Sequence, residues 1–202
     1  MLRTLLLLSI TSTLTACSTT RSDRFGYEPQ SVDRTQLPAR IAFGSCADQE
    51  QPQPILREVV SRDPELFIYL GDNVYGDTED MNVLQKKYDE LGAIEGFQKL
   101  SKQSKVIATW DDHDYGEDDA GADYPMKDES RRQFCDFWGE SADSLRRTRD
   151  GIYAANMFGP AGQRVQVILP DLRWNRTPIR KLDLGGKTYA AWQTEQQKAG
   201  AP

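Results

Sequence analysis

The sequence predicts an α/β fold built on a mostly parallel sheet with flanking helices. Three short apolar segments support this prediction, and each ends at a glycine or a polar residue: 40–45, 66–71 and 105–110. Apolar runs of this length, bounded by turn residues, are typical of strands buried in a parallel sheet. Helical patterns separate the three segments, and strands that alternate with helices indicate parallel order.

The remaining elements follow from the same patterns. Apolar stripes at helical spacing predict helices near 53–62, 81–91, 94–103 and 127–139. The last of these carries Phe134, Phe137 and Trp138, which we interpret as core residues rather than as a platform for a substrate. After residue 150 the pattern changes, because 151–158 and 164–169 are strand-like and a Gly-Pro-Ala-Gly turn separates them, which predicts a hairpin. A further helix is expected to start near Thr188.

Composition indicates a soluble globular protein with one core. Hydrophobic residues make up 38% of the 202 residues, and four of them are tryptophan. The formal net charge is -6, and no stripe of lysine and arginine offsets the acidic clusters. Proteins that bind a nucleic-acid backbone need such a stripe, so this class of partner is not expected.

The first residues have the features of a secretory signal. Arg3 gives a positive charge, an apolar core follows, and small residues precede Cys17. Leu14-Thr15-Ala16-Cys17 resembles a bacterial lipobox, which implies a signal peptide at 1–16, a lipidated Cys17 and a membrane anchor in the bacterial cell envelope, on its periplasmic or outer face. An ordinary signal peptide cleaved nearby is the alternative. Residues 17–38 are then a flexible tether, and 39–202 form the folded domain.

Polar residues follow each of the three predicted strands. The first leads into Gly44-Ser45-Cys46, the second into Gly71-Asp72-Asn73-Val74-Tyr75, and the third into Trp110-Asp111-Asp112-His113-Asp114, which holds the chain's only histidine. Ligands bind outside the carboxyl ends of strands in open α/β sheets, so these groups are expected to converge. For the third group alone, a solvated acidic loop with an incidental histidine is the alternative.

Together these motifs resemble those of PhoD-like alkaline phosphatases, within the calcineurin-like metallophosphoesterases. The resemblance runs from about Ala39 to Trp174. It implies a metallophosphoesterase-like sheet, the first half of an αββα sandwich, and a site that uses iron and calcium or other divalent metals. It also implies hydrolysis of phosphate mono- or diesters, with a phosphoester small molecule or a lipid-like molecule as substrate.

The resemblance also assigns roles to individual residues. By position it makes Cys46, Asp72, Tyr75 and Asp112 metal ligands, and His113 the residue that contacts the scissile phosphate. Asn73, Asp114 and Arg173 are candidate substrate-binding residues. Thiolate, phenolate and carboxylate ligands form an anionic shell that suits trivalent iron, and two bridged metals can clamp a phosphoryl group and supply hydroxide.

Simpler interpretations of three of these residues stay open. Cys46 is equally explained as a buried thiol or as the partner of Cys135 in a disulfide, since a secreted protein meets an oxidising compartment. Tyr75 is explained by packing beside Gly76, and Arg173 by a structural pair with an aspartate.

The resemblance covers only part of the metal site of the family, which affects whether the chain is expected to be active. Relatives complete their metal site with a later Gly-Asp-x-His-type segment, so we expect the domain to be incomplete at its carboxyl end. A non-catalytic envelope lipoprotein that keeps the fold is therefore the alternative function.

Overall fold

A computed structural model of the chain describes residues 34–178 and 186–199. The predicted lipidation site at Cys17 and the signal peptide lie outside these residues. The described elements are, in chain order, β1 (Ile41–Gly44), α1 (Ile55–Ser61), β2 (Leu66–Leu70), α2 (Met81–Ala93), α3 (Glu95–Gln103), β3 (Lys105–Thr109), α4 (Asp112–Tyr115), α5 (Lys127–Phe137), a 3₁₀ helix (Leu145–Arg147), β4 (Ala154–Phe158), β5 (Val165–Leu169) and α6 (Tyr189–Lys198).

The first three strands form a parallel sheet in the order β1-β2-β3, which confirms the predicted α/β class. Ile41 pairs with Leu66, and Leu66 pairs with Lys105. β2 is the central strand, and its first four residues are buried, as expected for a continuous apolar run covered on both faces.

Helices cover one face of this sheet. Phe67 and Tyr69 point into the larger core, where they meet buried residues of α1, α2, α3 and α5. Side chains such as Tyr88 and Phe97 are fully buried there, and burying one stabilises the fold by about 1.5–3 kcal/mol. The aromatic residues of α5 belong to this core, as predicted, since Phe134 and Phe137 are also fully buried.

The β4–β5 hairpin covers the other face. It is antiparallel, as predicted, and Ala154 pairs with Leu169. Phe158 and Leu169 pack there against Leu66, Ile68 and Ile107 of the parallel sheet. Helices on one face and strands on the other correspond to the first layers of the predicted sandwich.

Two local features go beyond the sequence expectations. The acidic segment predicted as a loop contains the short helix α4, in which Asp111 and Asp114 form a reciprocal capping box. Arg34, near the end of the predicted tether, is held by the hairpin: its guanidinium donates to Asn156 at 3.1 Å, and its carbonyl accepts from Gly159 N at 3.0 Å. Among the described helices, none has both the length and the apolar character that a membrane crossing needs.

Candidate metal centre

The loops that follow β1, β2 and β3 meet at one edge of the sheet. Cys46 N donates to the carbonyl of Gly71 at 3.2 Å, which ties the first loop to the second. Gly76 N donates to the carbonyl of His113 at 2.9 Å, which ties the second loop to the third. Parallel strands place their carboxyl ends together, and these hydrogen bonds fix the loops against each other.

The five residues predicted as ligands and catalyst lie close together at this edge. Ligand atoms of Asp72, Asp112 and His113 all lie within 4.8 Å of one another. Cys46 Sγ lies 3.5 Å from Asp72 Oδ2, and the Tyr75 ring centroid is 4.4 Å from that of His113. The arrangement brings thiol, phenol, carboxyl and imidazole groups to one place.

The backbone at this edge is unusual. Cys46 has φ 58° and Asp72 has φ 52°, both in the left-handed region that non-glycine residues seldom occupy. Gly71, between β2 and Asp72, has φ 114°, and a Cβ there would lie 2.7 Å from Asp111 Cβ. Strained positions of this kind cluster at functional sites, where they aim a side chain.

Asp72 has an oxygen that is free to accept a cation. Its Oδ1 is buried and has no hydrogen-bond partner among the described residues. Burial raises the pKa of the Asp72 carboxyl, and the negative charge of Asp111 raises that pKa further. A bound cation would satisfy the oxygen and relieve the cost of burying the charge.

Asp112 is held as a carboxylate. Burial raises the pKa of this carboxyl, but hydrogen bonds from backbone amides, among them that of Asp119, and the charge of Arg173 outweigh burial and lower the pKa. The Asp119 amide donates to Oδ2 at 2.8 Å, and Arg173 Nη2 lies 3.0 Å from Oδ1. Each carboxylate oxygen has a second lone pair, so both remain able to bind a metal.

His113 has a partner that the sequence did not reveal. Its Nδ1 lies 2.6 Å from Oδ1 of Asp77. Burial lowers the pKa of the imidazole, but the hydrogen bond and charge of Asp77, together with the charges of Asp72 and Asp112, raise it overall. Asp77 therefore orients the ring and favours its protonated form.

Gln49 is a second residue that the sequence did not reveal. Its side chain accepts from Tyr75 N at 2.8 Å and donates to Tyr75 O at 3.5 Å. These bonds fix the loop that carries Tyr75. Burial, followed by the charge of Cys46, raises the pKa of the Tyr75 phenol, so a cation is needed to make it a phenolate.

Asn73 and Asp114 lie behind the site. Both side chains are fully buried. The Asn73 amide donates to Asp114 and to the carbonyl of Thr109 (2.8 Å), and Asp111 N donates to Asp114 Oδ1 at 2.7 Å. Burial raises the pKa of Asp114 to about 8. This placement argues against the direct substrate contact predicted for both residues and assigns them to holding the second and third loops together.

Arg173 is engaged by aspartates. Its guanidinium contacts Asp111 through Nε, Asp112 at 3.0 Å, and Asp119 at 3.9 Å. Asp171 shapes the turn that presents it, because Oδ1 of Asp171 accepts from the Arg173 amide at 2.9 Å. The structural pairing left open by the sequence is therefore present, and the contact with phosphate stays a prediction.

A second group of carboxyls adjoins the first. Ligand atoms of Asp112, Asp118 and Asp119 also lie within 4.8 Å of one another. Asp118 and Asp119 are exposed, and Arg176 pairs with Asp119 at 3.2 Å. Solvent, Arg173 and Arg176 balance the negative charge of this group.

The disulfide alternative for Cys46 is wrong. Both Cys46 and Cys135 are free thiols, the first exposed at the sheet edge and the second buried in α5. The Cys135 thiol instead donates to the carbonyl of Arg146 at 3.7 Å. Cys46 is thus available as a ligand.

The architecture matches that of a solved structure. A solved structure described as "Structure of PhoD" superposes with a TM-score of 0.54 and 14% sequence identity, over 73% of this chain. The chain has a partial PhoD-like fold. The match covers 34% of the PhoD chain, so this protein spans about a third of the length of that structure. No protein-family model and no curated protein matches the sequence.

The residues at the site could hold a metal ion. Asp72 offers a buried oxygen without a partner among the described residues, Cys46 adds a thiol, Tyr75 adds a phenol that a bound cation would ionise, and Asp112 stays ionised. These donors suit a transition metal together with a harder cation such as calcium. The site could therefore hold one or two metal ions.

Proposed function

We propose that this chain belongs to a metal-dependent hydrolase of phosphate mono- or diesters. One observation carries the proposal: the strand-end loops of a partial PhoD-like fold bring Asp72, Asp112 and His113 within 4.8 Å of one another. Iron and calcium are the proposed metals, with Cys46, Asp72 and Tyr75 around the iron and Asp72 and Asp112 toward the calcium.

The residues of the site have different roles in the proposed reaction. Bound metals would supply charge stabilisation for the phosphoryl group and a nucleophilic hydroxide. His113, held by Asp77, is placed to donate a proton to the leaving oxygen or a hydrogen bond to the phosphoryl group. Asn73 and Asp114 keep the loops in register, and Arg173 balances the charge of Asp111 and Asp112.

The membrane anchor is part of the proposal. Lipidation at Cys17 would hold the domain at a membrane of the bacterial cell envelope, where phosphoester small molecules and lipid-like substrates are both accessible. Acid hydrolysis and mass spectrometry of the membrane-extracted protein would show the acyl groups, and an unmodified Cys17 in that protein would contradict the anchor.

Metal content tests the proposal. We expect the protein purified with metals to hold iron and calcium by elemental mass spectrometry, and Asp72→Asn and Cys46→Ala to lose at least one of them. Asp150→Asn, at an exposed position that belongs to neither carboxyl group, is the matched control. A folded protein free of metal under the same conditions would overturn the enzyme proposal and favour a non-catalytic lipoprotein.

A further inference from the structure

A cavity of about 460 Å³ adjoins the candidate metal centre on the side of α1. Its wall runs from the end of β1, through residues 45–48 and 51–54, to α1 and β2. Cys46 belongs to this wall, and its Sγ also lies 3.5 Å from Asp72 Oδ2. The cavity and the metal centre therefore share one residue and are neighbours.

The lining of the cavity is mostly apolar. It includes two prolines and four large apolar side chains, which are Ile55, Leu56, Val59 and Phe67. Among its described lining residues, Asp48 is the one that carries a formal charge at neutral pH. Ile55 is 64% exposed. Large apolar side chains gathered at a concave surface in this way are typical of a binding site.

Hydrogen bonds and close packing hold the wall of the cavity in place. The carbonyl of Asp48 accepts from Gln51 N at 3.1 Å and from Gln53 Nε2 at 3.0 Å, which holds the loop in place. α1 is packed tightly from behind, because a Cβ on Gly96 would lie 2.9 Å from Leu56 Cβ. Because the wall is already ordered, ligand binding does not have to offset the conformational free energy of ordering the wall.

We propose that this cavity binds the apolar organic group of the phosphoester substrate, while the phosphoryl group lies at the metal centre. The inference rests on the proposed function of that centre. It narrows the substrates to esters whose alcohol carries an aromatic ring or a short aliphatic chain, as opposed to polyols and sugars. A volume of this size falls within the range of small-molecule sites, about 300–1,000 Å³.

Direct binding of an apolar probe tests the cavity without catalysis. The probe is 2-naphthol, titrated by its fluorescence into the full chain with metals removed. We expect saturable binding that Ile55→Asp weakens at least about tenfold, since the charge would stand at the mouth of the cavity. Ile55 is largely exposed and opens α1, where an acidic residue is favoured, so this variant should fold.

The matched control is Ile168→Asp, because Ile168 is 67% exposed on β5 and does not line the cavity. It should bind 2-naphthol as the unchanged protein does. No binding to the unchanged protein, or equal affinity in Ile55→Asp, would overturn the proposed cavity site.

Kinetic measurements then test the role of the cavity and the phosphoesterase function independently. Naphthyl and glycerol esters of phosphate are compared with metals present, each as monoester and as diester. We expect Ile55→Asp to lower kcat/KM at least fivefold for naphthyl esters and less than twofold for glycerol esters. Equal loss for both would overturn the assignment of the cavity to the substrate. Binding of 2-naphthol without hydrolysis of any ester would instead overturn the phosphoesterase function and keep the apolar site.

Discussion

At the scale of single residues, Gly71 determines where Asp72 is placed. Its φ of 114° is accessible to glycine, and a Cβ would lie 2.9 Å from the backbone nitrogen of Asp111. We expect Gly71→Ala to lower the free energy of unfolding by about 2–4 kcal/mol, through strain and displacement of the third loop. Chemical denaturation measures the change.

Gly162 provides the control for that substitution. It also has positive φ, 87°, but nothing lies within 4 Å of a Cβ built there. Gly162→Ala should therefore cost only the conformational strain, about 1–2 kcal/mol. Equal losses for the two variants would show that the close approach of Asp111 to Gly71 is unimportant.

Arg173 offers a second test at this scale. Replacing it with glutamine removes a positive charge from a site where cations are expected to bind. We expect Arg173→Gln to tighten calcium binding about fivefold, which corresponds to about 1 kcal/mol. Calorimetric titration measures the affinity, and a loss of calcium affinity would show that Arg173 supports the carboxylates rather than competes with the metal.

At the scale of elements, a buried arginine joins the 3₁₀ helix to the sheet. Arg146 donates to the carbonyl of Ala108 at 2.6 Å, to that of Ile152 at 2.5 Å, and to Glu140 at 2.6 Å. It is 6% exposed, so its bonds to the two carbonyls are buried, and its bond to Glu140 is partly buried. The edge of β3, the loop after α5 and the start of the hairpin are thereby linked through one guanidinium.

Glu140 gives this link a pH dependence. Burial raises the pKa of Glu140, but the charge and hydrogen bond of Arg146 and the hydroxyl of Ser144 outweigh burial and lower the pKa below its ordinary value of 4.5. Because the pKa of Glu140 is lower in the folded protein than in the unfolded chain, its carboxylate stabilises the fold above about pH 4.5. This stabilisation is lost as the pH falls through the pKa of the folded state.

We therefore expect Glu140→Gln to be less stable than the unchanged protein by about 1–3 kcal/mol at pH 7, with the difference shrinking below pH 4.5. Urea unfolding between pH 7 and pH 3.5 measures it. Glu58→Gln, in an exposed pair with Arg62, is the control and should change stability by less than about 0.5 kcal/mol. A difference for Glu140→Gln that does not depend on pH would contradict the assignment.

The regular elements were predictable from sequence, and the contacts around the site were not. β2 was evident because Leu66 to Leu70 form an apolar run that ends at a glycine. α4 was missed because four residues are too few for a periodic pattern, and its cap comes from aspartates that also suit a loop. Asp77 and Gln49 carry no motif, and only the folded loops bring them to His113 and Tyr75.

At the scale of the whole molecule, β2 is the centre of the fold. It pairs with strands on both sides, the helical core covers one face, and the hairpin covers the other. β1 is a border strand, and Ile41 and Phe43 on its hairpin side remain exposed. Stability is therefore expected to fall from the middle of the sheet toward β1.

Hydrogen exchange monitored by NMR tests this gradient. We expect the hydrogen-bonded amides of β2 to exchange at least about tenfold more slowly than those of β1 and β4, a difference of about 1.4 kcal/mol in opening free energy. Uniform protection across the three strands would show that the described part of the chain opens only as a single unit.

The pairing of two indoles beside the acidic loops has an optical consequence. Trp110 precedes Asp111, Trp174 follows Arg173, and their rings are parallel within 4° at a centroid separation of 6.4 Å. Lys127 and Arg131 lie over the Trp174 ring, at 5.0 and 4.8 Å from its centroid. Two chromophores so close and so aligned couple their transitions, which makes near-ultraviolet circular dichroism sensitive to small changes in their mutual angle. The salt bridge between Asp111 and Arg173 connects the two segments that carry these indoles. A change at the carboxylate cluster is therefore expected to change the near-ultraviolet circular dichroism of the protein.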